Sequence, residues 1–592
     1  MSLLNIKGEE LEKTLSNLFG NNDQLIALVQ QAFTQKENAI PSDQVPNVKM
    51  QESWKIVSNL KELQARITEA KKDGKKLRVV GANHSAPDAI GDQLQEGDKN
   101  VLMIVLSGDY RKMTLVDDKG DPIVTSKTGA NKTETKTSQT GTQQNVDPHI
   151  FVKVGGGCSL GINPDDIVTG KDKSSISTSF NYQIDSWGYA LPDLGGITQQ
   201  TVGGFMLTGS AGGSITYAFS EAIEMIEFVD GTGTVQHAKR GTDLWKAVGV
   251  SMGLFGVVTN ITFKVSKRFL VQGIEKNEKF ADSTIGPQGK PVKDPTKQTY
   301  RLQKSIEEKE YYRALWFPQV DRVQTWECSR VPHKEFFANI NSYVNELATK
   351  PDEAMLGLRL IDFLLNLEKN TIPFKDLELI LDCVLDIIIR YIFKIFVPLG
   401  DEGESHYCDL WWKALPTDDK VPVDTTMKMV FTEVWMPIDQ SDEVMRRLTK
   451  MLGGQDGWKK ASNTPIEFYG AKKSDFWLSM SNQGNMVRVD PFWYANNIDD
   501  AQHKNRTAYF ANFWNALMDI KGICFHWGKF LPEVGETYGR TKYDSKKIME
   551  AFNKSNLIKW NVLRSKHDPQ KVFLTEYWKA QLGDIIKLDS KK

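Results

Sequence analysis

The sequence predicts a two-domain α+β protein, and three observations carry that reading. The chain is 592 residues long, too long for one hydrophobic core and suited to two or three domains. From Trp54 to about residue 268, short apolar runs alternate with a helical pattern and dense glycine turns, the texture of packed strands and helices. After about residue 269 charged sequence with helical character runs to about 400, and strand-like segments follow at 428–436 and 465–469. The expected division is therefore an N-terminal helical extension over 1–45, a first domain over 46–268 and a second over 269–592. The second would carry a helical insertion at about 275–420 and a C-terminal return to the first.

Each element has its own justification. Leu11, Leu15, Leu18, Leu25, Leu28 and Val29 recur at helical spacing, and Pro41 to Pro46 end that pattern because proline breaks a helix. A strand at Lys55–Val57, a helix at Leu60–Lys72 and a strand from Lys76 follow, then a second apolar strand at 101–106. Residues 118–148 are almost free of apolar side chains and read as a polar hairpin or insertion that cannot bury a core. Strands resume at 150–154, 221–229 and 256–265. The apolar stretch Phe374 to Leu399 carries Glu378, Asp382, Asp386, Arg390 and Lys394 every four residues. That spacing puts the charges on one helical face, so an amphipathic helix lying half buried is expected rather than a membrane span. Peripheral membrane contact or a dimer contact stays open for it.

Composition narrows the function classes. Lys+Arg 74 against Asp+Glu 75 leaves a net charge of −1, which gives no basic field for nucleic acid. Five cysteines, at 158, 328, 383, 408 and 524, show no CxxC spacing. No metal site and no disulfide framework is expected, and a reducing compartment is favoured. The N-terminal Met1-Ser-Leu-Leu-Asn-Ile-Lys-Gly-Glu-Glu is mixed and acidic, unlike a signal peptide, so the expected location is cytoplasmic.

Chemistry concentrates in two segments. Leu191 to Ser214 holds glycines at 195, 196, 203, 204, 209 and 212, a density that suggests main chain wrapped around a flat or anionic ligand. It lacks the Gly-Lys-Ser/Thr of a P-loop, and Gly155-Gly-Gly-Cys-Ser-Leu-Gly misses the dinucleotide fingerprint by one residue. The second segment, Arg78-Val-Val-Gly-Ala-Asn-His-Ser-Ala-Pro-Asp, presents His84 at the tip of a turn beside Ser85.

Together these segments resemble the FAD-binding (PCMH-type) domain of the vanillyl-alcohol-oxidase flavoprotein family, closest to its aldonolactone and alditol oxidase branch. Arg78 to Asp88 is similar to that family's R-V-V-G-x-G-H-S segment, and Val101 to Met113 to the strand after it. Phe151 to Gly161 and Leu191 to Ser214 resemble the segments that line the flavin, and Trp245 to Val265 the closing strand. Phe525-His-Trp-Gly-Lys resembles the branch's P-H-W-G-K signature, and Asp568-Pro-Gln-Lys-Val-Phe its D-P-x-x-x-F segment. Residues 1–45 and about 275–420 find no counterpart in this reading.

The resemblance implies a PCMH-type FAD-binding domain plus an α/β cap that forms the substrate domain. His84 matches the histidine that bonds the flavin covalently in some members, so covalent FAD is expected. Cofactor contacts are implied for Gly81, Ala82, Asn83, His84, Ser85, Pro192, Gly195, Gly196, Gly203, Gly204, Thr208, Gly209, Ser210, Gly212, Gly256, Val257 and Val258. Glycine at 195 would leave room for dioxygen, so an oxidase releasing hydrogen peroxide is implied. The implied reaction oxidises a CH–OH group of a sugar lactone, alditol or related alcohol, with hydride passing to flavin N5. Glu467 or His526 would serve as base, and Lys529 would stabilise charge on the reduced flavin. Where the branch carries Glu-x-Arg on a cap strand, this chain has Glu467-Phe-Tyr469. Tyr469 can donate a phenolic hydrogen bond but cannot replace a guanidinium fork, and Arg488 could fill that place in space. That departure keeps two alternatives open: an oxidase of a larger natural-product alcohol, and a degenerate flavin-binding interaction protein.

Overall fold

The computed structural model describes residues 54–91, 100–123, 149–290, 292–332, 390, 393–394, 396–420, 429–453, 457–461, 464–494 and 500–588. The expectations for 1–45, for most of 118–148 and for most of Phe374–Leu399 lie outside those residues. Among the described residues no helix is long and apolar enough to cross a membrane.

Three sheets organise the chain. β1 (Lys55–Val57), β2 (Lys76–Val80) and β3 (Val101–Leu106) form a parallel sheet in the order β1-β3-β2. The helix Leu60–Lys72 starts where the Asn59 side chain accepts the Glu62 N–H, an N-cap that satisfies a donor the helix cannot. Its Leu63, Ile67 and Ala70 recur at helical spacing and bury against Val57, Leu77 and Ile104.

β4 (Met113–Val116), β5 (His149–Gly155), β6 (Tyr189–Ala190), β7 (Ile223–Asp230), β8 (Val235–Lys239) and β9 (Gly256–Lys267) make an antiparallel sheet. Its order is β4-β5-β9-β7-β8, with β6 on β9. The chain then changes sheet across one residue, Arg268.

The third sheet has nine strands: β10 (Phe269–Lys279), β11 (Tyr311–Phe317), β12 (Arg322–Pro332), β13 (Glu404–Leu410), β14 (Met429–Phe431), β15 (Val434–Pro437), β16 (Ile466–Ala471), β17 (Met486–Tyr494) and β18 (Cys524–Phe525). Their order is β13-β10-β12-β11-β16-β17-β15-β18, with β14 on β17, and every pairing is antiparallel.

This corrects the helical reading of about 275–420. The described part of that region supplies the second half of β10, Glu275–Lys279, and all of β11 to β13, beside short α-helices at Leu302–Glu308 and Trp411–Ala414 and helical residues at 390, 393–394 and 396. For β11 the reason is burial on both faces. Tyr311 to Phe317 is buried at every position, Arg313 included, so no alternation of polar and apolar residues marks the strand.

The two faces of this sheet differ. Side chains alternate along a strand, which places Ala314, Phe468, Val489 and Val434 in one cross-strand row. On that face Ile306 packs on Gly470, and the helices Leu302–Glu308 and Ser441–Leu452 bury Leu302, Val444 and Leu448 in the same core. The other face carries charge and forms part of the site described below.

The C-terminal segment packs back on the first sheet. The Leu77 N–H donates to the Val572 carbonyl at 2.9 Å, and Trp578 Nε1 to the Ala89 carbonyl at 3.1 Å. The Asp568 carboxylate shapes that turn by accepting the Val572 and Phe573 N–H groups at 2.7 and 3.0 Å.

Candidate active site

β2 delivers the chain into Gly81–Ser85, where Asn83 adopts φ 60°. Asparagine is among the few non-glycine residues that visit this left-handed conformation readily, so it can stand where the family pattern has its second glycine. Three residues later, the Ala86 N–H donates to the Gly528 carbonyl at 2.8 Å. The Phe525-His-Trp-Gly-Lys segment is thereby docked on the His84 turn.

Between the parallel and six-stranded sheets lies a cleft. Ten of the residues singled out for cofactor binding line it: Gly81, Ala82, Asn83, His84, Ser85, Gly203, Gly204, Thr208, Gly256 and Val258. The His84 Nε2 atom is buried there. Gly156, Gly157, Thr201, Gly253, Trp527, Phe573 and Trp578 line it as well and were not singled out. All of these but Trp578 lay in quoted segments, and Trp578 carries no local signal of a cleft. At Gly203 a Cβ would stand 2.8 Å from the Gly156 carbonyl oxygen, so the helix Val202–Thr208 rests its first turn directly on the main chain after β5.

The other expected contacts lie elsewhere. A side chain at Gly195 would meet Phe205 at 3.0 Å, and one at Gly212 would meet Asp193. Gly209 ends its helix at φ 79°, and Ser210 Oγ sits 3.2 Å from Thr208 Oγ1. Val257 is buried in the core with Val229 and Ile104. Pro192 turns its carbonyl to the Tyr311 hydroxyl at 2.6 Å. Gly196 faces the nine-stranded sheet: Asp418 Oδ2 and Tyr469 Oη lie 2.5 and 3.2 Å from where its Cβ would be. The loop 192–196 thus joins the cap rather than the cleft wall.

The charged face of the nine-stranded sheet stands over that loop. Arg313, Tyr469 and Arg488 are direct cross-strand neighbours on β11, β16 and β17. Glu467 lies two residues before Tyr469, opposite Asp490. Arg313 Nε donates to Glu467 Oε1 at 2.5 Å, and its other nitrogens to Thr417 and Asp418. Arg488 bridges Glu433 and Asp490, each at 3.0 Å, and reaches the Ala211 carbonyl at 2.7 Å. The Tyr469 ring lies 5.7 Å from one guanidinium and 4.6 Å from the other, cation–π distances. Arg488 therefore does stand beside Tyr469. Arg313, which sequence reading passed over, stands on the other side.

Burial sets the protonation pattern. It pushes Glu467 up to about 7 against the pull of Arg313, and raises Asp490 well above the carboxylate range despite Arg488. Glu433 is also buried, yet Arg488, His526 and Lys529 hold it below its usual value. Burial lowers His526 to about 4, with Glu433 opposing. Its Nδ1 accepts the Gly528 N–H at 3.1 Å, so the neutral ring carries its proton on Nε2. That Nε2 is buried without a hydrogen-bond partner, a donor left for a ligand oxygen. Lys529 Nζ lies 3.9 Å from the centre of the Phe431 ring.

These residues fit FAD. Glycine main chain admits a flat ring and a pyrophosphate at close range, the aromatics supply apolar surface, and the His526 Nε2 proton offers a preset hydrogen bond. Fold and site together define an FAD-binding oxidoreductase of the PCMH type with a sheet-based cap.

Residues 290–581 match the family model ALO, D-arabinono-1,4-lactone oxidase. The match includes much of the region that found no counterpart in sequence reading. L-gulonolactone oxidase of Bos taurus is 21% identical over 67% of this chain and 76% of its own length. D-arabinono-1,4-lactone oxidase of Saccharomyces cerevisiae is 25% identical over 68% of this chain and 80% of its own. Cholesterol oxidase of B. sterolicum superposes with a TM-score of 0.58 at 10% identity, over 89% of this chain and 93% of that one, a likeness of fold. The resemblance to the aldonolactone oxidase branch holds, and the chain is an FAD-dependent oxidoreductase acting on CH–OH donors.

Proposed function

We propose that the chain oxidises a CH–OH group of a sugar lactone, with dioxygen as acceptor and hydrogen peroxide as product. FAD, when bound, supplies the hydride acceptor. The observation that carries the reading is one buried sheet face that holds Arg313, Glu467, Tyr469 and Arg488 across adjacent strands, with the unpartnered Nε2 of His526 opposite Glu433 at its edge. Glu467, at about 7, is matched to removing a hydroxyl proton at physiological pH. His526 presents Nε2–H to an oxygen, so it positions and polarises rather than acting as base. Glu467 and not His526 is thus the base in this proposal. Arg313 and Arg488 keep the surrounding carboxylates from repelling a bound ligand, and the apolar cap face excludes water from behind. Lys529 remains the candidate for stabilising charge on the reduced cofactor, and His84, in the cleft wall, the candidate for a covalent link to it.

Anaerobic mixing of the purified protein with sugar lactones tests this. The expected result is bleaching of the flavin by at least one lactone and recovery of its colour with peroxide release on admitting air. Flavin that no lactone or alditol reduces would overturn the proposal. Denaturation in SDS should leave flavin fluorescence on the polypeptide and lose it in His84→Ala; free flavin from the unaltered protein would remove the covalent link alone.

A further inference from the structure

The turn Thr417–Lys420 comes from the region in which no family segment could be placed by eye, and it ties the cap to the flavin-binding domain. The Asp418 N–H donates to the Gly196 carbonyl at 2.9 Å. The Asp419 carboxylate accepts the Thr198 N–H at 3.0 and 3.2 Å, together with the Thr198 hydroxyl. These bonds pin the Asp418 side chain above Gly196, with Oδ1 on Arg313 Nη2 at 2.5 Å and Oδ2 toward the position near Tyr469 Oη.

The partners of Arg313 are not equally buried. Its own side chain is 9% exposed and that of Glu467 4%, whereas that of Asp418 is 35% exposed. Glu467 occupies one edge of the guanidinium from within the protein, and the half-buried Thr417 of the turn takes a second. Asp418 covers the remaining edge from the open side. A guanidinium edge is the natural receptor for a ligand carboxylate, which it binds bidentately. Here that receptor is already filled by the protein's own carboxylate. A neutral ligand meets at Asp418 a hydrogen-bond acceptor for its hydroxyls, while an anionic ligand meets a like charge and a blocked arginine.

We infer that Asp418 is a specificity-determining residue that admits neutral polyhydroxylated substrates and bars their carboxylate counterparts. The relevant pair is a lactone and the open-chain sugar acid that its hydrolysis yields. The inference rests on the proposed function for its choice of ligands. It is a statement of discrimination: specificity is a difference of affinities, and a built-in repulsion produces it as well as an added attraction does.

The test compares the flavin-loaded protein with Asp418→Asn, which keeps the main-chain tether, and Asp418→Ala, which also opens the Arg313 edge. Affinity for a lactone and for its sugar acid is read from the perturbation of the flavin absorption band, under nitrogen for the lactone. In Asp418→Asn the preference for lactone over acid should shrink about tenfold, or about 1.4 kcal/mol, because binding of the acid improves. Asp418→Ala should bind the acid more tightly still. A merely structural role would weaken both ligands together, so a ratio unchanged in both variants overturns the inference. If lactones fail to bind or reduce the unaltered protein, the proposed function fails. A gain in acid binding by the variants would still support the role of Asp418, and no gain would overturn it.

Discussion

The candidate cofactor cleft and the charged cap face are built by opposite means. The cleft wall includes glycines that contribute no side chain: Gly81, Gly156, Gly203, Gly204 and Gly256. Its specificity lies in backbone shape, such as the left-handed Asn83 and the Gly203–Gly156 contact. The cap face is made of side chains. Arg313, Glu467, Arg488, Asp490 and Glu433 are all buried and hold one another in place across β11, β16, β17 and the residue before β15. Buried charge is costly unless paired, so this layer exists only as a network. The contrast suggests a division of labour: a backbone-defined shape suited to a large rigid cofactor, and an electrostatic field suited to the chemistry of a small substrate.

Substitutions should therefore dissociate the two regions. The largest effect is expected for Glu467→Gln. Flavin reduction by substrate should slow on the order of 10³-fold, in the range of a lost general base, with flavin content unchanged. The pH dependence carries the sign. A base works ionised, and burial raises Glu467 to about 7, so the reduction rate should climb as pH rises through about 7 and fall below it. The variant should lose that limb. A limb near 4, the value to which burial pushes His526, would transfer the role of base to the histidine.

A smaller loss, on the order of 10²-fold, is expected for His526→Ala, the cost of removing one preset hydrogen-bond donor. It should appear in the stopped-flow reduction rate while the pH limb near 7 persists. Loss of that limb would instead tie the ionisation to His526. The smallest effect on turnover is expected for Gly203→Ala, whose methyl group would press on the Gly156 carbonyl. That change should lower the flavin retained through purification, yet leave the rate per bound flavin within about twofold, since no group of the charged layer moves. A slowed rate at full flavin occupancy would break the proposed separation of cleft and cap.

How much of this could be read in the sequence follows from distance along the chain. The Gly81–Ser85 turn and the Gly203–Gly204 helix start were visible because backbone conformation is a local property, written in glycine and turn residues within a few positions. Gly195, Gly196 and Gly212 belong to the same glycine-rich run, yet they serve the packing of the 192–214 loop against Phe205, Asp193 and the cap. Glycine density signals close approach without saying to what. Tyr469 looked like a lost arginine because only its own strand was in view. Arg313 stands beside it from 154 residues before its partner Glu467, and no spacing rule spans that separation. The strand β11 was obscured for a related reason: burial on both faces removes the alternation by which strands are recognised.

The sequence alone determined the α+β class, the strands at 55–57, 76–80, 101–106, 150–154, 223–229 and 256–265 with the helix Leu60–Lys72, the His84 turn and the histidine and lysine of the Phe525–Lys529 segment. These depend on local propensity, hydrophobic period and short motifs, all of which act within one element. The tertiary structure decided which charges meet. It placed Arg313 and Arg488 on either side of Tyr469, set Glu467 near neutrality by burying it, fixed the His526 proton through the Gly528 N–H and brought Asp418 over Gly196. Those outcomes depend on strand register and on the exclusion of water, quantities that come into being only when distant segments pack.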